Sequence, residues 1–187
     1  MRWFALYARS RQLPVVVPAA LLSIVAIRLL AASRWSPLFA ALALTSAVAL
    51  AAVGLSGQDV ELDRTAAFGW LRRRFVHILT IGVVAGAVLL AVQSIGDSSV
   101  DTALIVRDSA GLLGLAGLAA TVFGGQFGWT LPLVWTVLAL SVPADKALLN
   151  QILIWPVSPP EDTLAWWLAS GLFVLGTGLY SVVGARR

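Results

Sequence analysis

Six apolar runs, each close to the ~20 residues that a helix needs to cross a bilayer, constrain this chain more than any other feature. They are Leu13–Ala32, Leu38–Ser56, Phe75–Ile95, Thr102–Phe123, Phe127–Pro143 and Leu164–Ala185. A helix satisfies its backbone N–H and C=O groups internally, so a run of this kind can pass through hydrocarbon without stranding polar groups. The runs therefore predict an all-α, polytopic integral membrane protein with six transmembrane helices, forming a single domain over residues 1–187. Only 12% of the residues are charged and 59% are hydrophobic, whereas soluble domains carry roughly 25% charge. The GGQFG turn at 124–128 is too short for anything but an antiparallel hairpin between the fourth and fifth runs.

The basic residues give the orientation. With the N-terminus in the cytoplasm, that side receives Arg2, Arg9, Arg11, Arg64, Arg72, Arg73, Arg74, Arg186 and Arg187. The outer side receives Arg34, Arg107 and Lys146, and Arg28 lies inside the first run near its outer end. This bias predicts both termini in the cytoplasm. The same distribution argues against nucleic acid as the partner of a chain with pI near 10.7: the charge sits in short loops beside apolar spans rather than on a continuous face. Twelve of the thirteen basic residues are arginine, a usage typical of GC-rich bacterial genomes such as those of actinobacteria, which places the expected site in a bacterial inner membrane. With no cysteine and one histidine, neither a thiolate nor a histidine metal cluster is available, and no bound metal or cofactor is expected.

Three segments outside the spans are amphipathic. Residues 1–12 put Trp3, Phe4 and Tyr7 beside Arg2, Arg9 and Arg11, a composition suited to a helix lying on an anionic membrane surface. Residues 57–74 begin with acids (Asp59, Glu61, Asp63) and end with Arg72, Arg73 and Arg74, the order that a helix dipole favours. Leu62, Ala66 and Trp70 recur there at helical spacing with Phe68 and Leu71 beside them, while Arg64 adds charge, so a cytoplasmic helix able to seat in a groove on a partner is predicted. Residues 143–163 carry Ala144, Leu148, Ile152 and Trp155 at helical spacing before Pro156, Pro159 and Pro160. That stretch is too short to span, and predicts an outer re-entrant helix with Trp155 at the membrane interface.

In their order, Arg2–Gln12, Asp59–Arg74 and Pro143–Pro156 within a six-span layout resemble the ABC-2 type permease family. The resemblance implies a permease subunit of an ATP-binding-cassette exporter, whose helix between the second and third spans couples it to a separate ATPase. Leu62, Arg64, Ala66, Phe68, Trp70, Leu71 and Arg72–Arg74 would be that docking surface, and a homodimer or a heterodimer with a second permease would form the path. The chain has no GxxxxGK[ST] phosphate-cradling motif. ATP and Mg would therefore sit on the P-loop ATPase partner, and this chain is not expected to be an enzyme.

Two other readings compete. A non-transporting scaffold, immunity factor or assembly subunit could use the same helix to hold a protein without turnover. The GLSG at Gly54–Gly57, with Ser56 and His77 at comparable depth, matches the GxSG of rhomboid intramembrane proteases. Against that reading, the motif is short, and no second histidine or oxyanion partner accompanies it.

Overall fold

A computed structural model describes residues 13–55, 70–95, 98–143, 145 and 147–186, and among these every regular element is helical. The α-helices are α1 (Leu13–Ala31), α2 (Pro37–Ala52), α3 (Trp70–Gln93), α4 (Thr102–Val122), α5 (Thr130–Ser141), α6 (Leu148–Leu153) and α7 (Thr163–Val183). Five of them, α1, α2, α3, α4 and α7, are long and apolar enough to cross a membrane. The protein is thus an all-helical chain of the multi-pass membrane type.

The run at Phe127–Pro143 differs from expectation. Its start is a 3-10 turn, Gly125–Phe127, and only the twelve residues of α5 follow as α-helix. At ~1.5 Å per residue α5 rises about 18 Å, well short of the ~30 Å hydrocarbon core. Proline sets its far end: Val142, which precedes Pro143, is extended (φ −102°, ψ 136°), as the clash with a following proline ring demands. Elsewhere the ends follow ordinary capping rules. Pro37 opens α2 at a position where its missing N–H costs nothing. Asp101 accepts from the Ala103 N–H at 2.7 Å at the start of α4, and Asp162 accepts from Leu164 and Ala165 at the start of α7. Gly184 (φ 81°) ends α7 in a backbone region that suits glycine.

The hub is α4. Its most apolar window is 78% buried, against 17% for α1. On one side α4 meets α3, with Gly82 facing Leu113 and Gly86 facing Ser109, so the two helices run antiparallel. On the other side it meets α7, and there the pair is parallel: Gly114 abuts the backbone at Leu172 and Phe173, and Gly117 abuts Gly176. A Cβ at Gly117 would lie 2.6 Å from the Gly176 carbonyl oxygen. Glycine brings the two backbones into direct contact, which in lipid is a principal source of helix association. Ala165 and Ala169 continue the buried small-residue side of α7.

Around this pair, α2 packs on α4 and α5. Gly128 lies against Ala52, and the Thr45 and Thr136 hydroxyls hydrogen-bond at 2.7 Å, so α5 retraces α2 in the opposite direction. α1 leans mainly on α2, where Ser46 donates to Ser23 at 3.1 Å. The bundle has two distinct ends. One holds Arg72–Arg74, the last turns of α2, α4 and α7, and Arg186, whose N–H donates to the Ala120 carbonyl. The other holds Arg28, Arg34, Arg107 and the α5–α7 connection.

Candidate functional site

Between α1 and α3, above a floor of α2, lies a cleft of about 1000 Å³. Helix α1 contributes Val16, Val17, Ala20, Leu21 and Ile24 to it, and α2 contributes Ala47 and Ala51. From α3 come Val76, Thr80, Ile81, Val84, Ala85 and Val88, with Arg72, Arg73 and His77 at one end. Ile24 and Ala85 are buried at its floor, whereas Val17 and Val84 are exposed on its flanks, so the cleft opens sideways on the face of the bundle. The Thr80 hydroxyl donates to the Val76 carbonyl of its own helix at 2.7 Å. Among the described residues no aspartate or glutamate lines the cleft. It is an apolar slot with two exposed guanidinium groups at its mouth.

In the described residues α3 runs without a break from Trp70 through Arg72–Arg74 into its apolar length. Arg74 reaches across the bundle. Its guanidinium lies at the C-terminal end of α7, where a Cβ on Gly184 would come within 2.7 Å of Cζ. The final carbonyls of α7 carry partial negative charge at that place. Leu71, Arg72 and Arg73 are exposed on the same turn. Of the other expected docking residues, Leu62, Arg64, Ala66 and Phe68 lie outside the described residues, as do Trp3, Phe4 and Tyr7 of the surface segment and Ser56 of the GLSG motif. His77 is partly buried and faces the cleft.

At the opposite end, Trp155 corrects the sequence reading. It is fully buried rather than interfacial, and is among the largest buried side chains of the described residues. The helix expected to carry it stops at Leu153, and a 3-10 turn over Trp155–Val157 swings the indole inward onto Gly111, whose missing side chain leaves the slot it fills. Beside it Arg107, also fully buried, donates from Nε to Asp108 at 3.0 Å, from Nη1 to the Pro159 carbonyl at 2.9 Å and from Nη2 to the Ser158 carbonyl at 3.0 Å. One arginine thus neutralises a buried carboxylate and fastens the α5–α7 connection to the hub helix. Nothing in the sequence signals the two carbonyl partners, which lie fifty-one and fifty-two positions away. At the same end Arg28 donates to the Ala32 carbonyl at 2.9 Å and stacks over Trp35 at 5.1 Å, turning toward the end of its helix.

Among the described residues no group of histidines and carboxylates could hold a metal ion. Compared with models of protein families, with curated proteins and with solved structures, the chain matches none.

Proposed function

We propose that this chain is the membrane subunit of an ATP-driven exporter, with a separate P-loop ATPase docking at the end that carries Arg72–Arg74. One observation supports this reading above the others: α3 is unbroken for twenty-four residues, from Trp70 at that end through its whole apolar length. It is a rod of about 36 Å at ~1.5 Å per residue, without proline. A partner that moves residues 57–74 would therefore move one wall of the α1–α3 cleft as a rigid body, the kind of transition that couples a docking site to a distant path. Helix α1 forms the other wall and leans mainly on α2, so the cleft could widen without breaking the α4–α7 pair. In this reading the arginine end faces the cytoplasm, and ATP and Mg act on the partner.

The test is capture of the tagged chain in mild detergent from its host, with and without Phe68→Ala and Trp70→Ala together. A stoichiometric P-loop ATPase that is lost from the double variant, with melting temperature unchanged, is the expected result. Capture of the chain with no ATPase would overturn the reading and favour a scaffold or assembly role.

A further inference from the structure

We infer that the α1–α3 cleft holds an acyl chain of a bilayer phospholipid, which serves as the packing between α1 and α3. The inference does not depend on export, and its test reads the contents of the cleft alone.

Position and lining point to hydrocarbon. The cleft lies between two helices that are long and apolar enough to cross a membrane. Along α3 it runs from Val76 to Val88, about 18 Å at ~1.5 Å per residue, slightly more than one leaflet of a ~30 Å core. Val17, Leu21 and Val84 stand exposed along its open flank, so the medium beside it is acyl chain. Apart from the basic residues at one end, the polar side chain among the described lining residues is Thr80, whose hydroxyl donates to its own helix. A buried water needs about two to four polar partners, and the slot does not provide them. An apolar hollow without contents forfeits the contacts of every atom that lines it.

Width and charge then choose among apolar occupants. Cα atoms of α1 and α3 come within 8 Å of one another, whereas a helix with its side chains is ~10–12 Å across. A helix of a partner or of a second copy is too thick to lie there on the α2 floor between them, and an extended hydrocarbon chain is not. The residues that lead into α1, 1–12, carry Arg2, Arg9 and Arg11 and no acid. Entering the slot would bring like charge to the exposed Arg72 at its end. An acyl chain brings no charge, and it slides in sideways without leaving hydrocarbon. Such a chain gains little from exchanging one apolar neighbour for another, so confinement by the floor and two walls is what retains it.

The experiment uses the full chain in phosphatidylcholine nanodiscs doped with a phosphatidylcholine that carries a diazirine midway along one acyl chain. After irradiation, the labelled positions are mapped by mass spectrometry. Labels should appear at the partly buried Ala20, Ala51 and Ile81 of the slot, as well as at Val174 and Val182 on the exposed face of α7. Ala51→Phe fills the slot from its floor, and should cut labelling of Ala20 and Ile81 by roughly tenfold while the α7 labels hold. Ala20→Phe fills it from α1 and gives the same reading if Ala51→Phe does not fold. A diazirine amino acid at Ile81 should capture phospholipid. Slot residues labelled no more than the buried Leu112, or labelling unchanged in the filled variant, overturns the inference. So does capture by the Ile81 probe of residues 1–12, of residues 56–69 or of a second copy in place of lipid.

Discussion

The α4–α7 pair and the α1–α3 pair sit in one bundle but are built on opposite principles. Where α4 meets α7, glycines at 114, 117 and 176 let the two backbones touch, and the pair runs parallel. Between α1 and α3, full-sized valines, leucines and isoleucines stand apart and leave a cleft. Apolar side chains gain little from leaving lipid for one another, since acyl tails are as apolar as leucine. Size alone therefore decides where such a bundle closes and where it stays open. One region is closed by backbone contact, and the other is left as an open cleft.

Substitutions can break this contrast at graded strength. The largest effect belongs to Arg107→Ala, which leaves the Asp108 carboxylate and the Ser158 and Pro159 carbonyls without their donor. Removing one member of a buried pair costs about 3–5 kcal/mol, and thermal unfolding in detergent should show it. Next comes Gly176→Ala, whose methyl would collide with the Gly114 carbonyl. Forcing atoms into a packed seam costs about 1–3 kcal/mol, and helical circular dichroism on heating would register the loss. Thr136→Val removes the link to Thr45, and interhelical hydrogen bonds in membranes average ~0.6 kcal/mol with a ceiling near ~1.7. Smallest of all is Gly171→Ala on the outer face of α7, where an added Cβ meets nothing within 4 Å. Alanine's helix preference alone should stabilise slightly there, so a loss beyond about 0.5 kcal/mol would mean that this face is also a protein contact, and the contrast between closed seam and open face would need redrawing.

Much of this arrangement can be read from residue order. Long apolar runs announce α1–α4 and α7, because lipid leaves a backbone no other open structure. The starts at Pro37, Asp101 and Asp162 are equally visible, since capping is local chemistry. The far end of α5 was visible too, since Pro143 keeps Val142 out of the helix, but its late start at Thr130 was not, because the run is apolar from Phe127 onward. Trp155 was not legible, because an indole at the end of a short amphipathic stretch suits a headgroup region or a core slot equally well. Only Gly111, forty-four positions earlier, decides between them. The place of Arg74 at the end of α7 was not legible for a related reason, because Gly184 lies far along the chain. The cleft has no sequence signature at all, being a failure of two helices to meet.

Helix α5 carries its own demand on the membrane. It exposes Leu133, Val134, Val137 and Leu138 over a rise of about 18 Å, so a bilayer of ordinary thickness overhangs it at one or both ends. Lipids beside it must thin the leaflet or tilt inward, at fractions of a kcal/mol per ångström of mismatch. The protein therefore wears a dimple along one flank, and thickness becomes a variable it can sense: stability should peak in short-chain bilayers and decline as acyl length grows, with α5 the first helix to loosen.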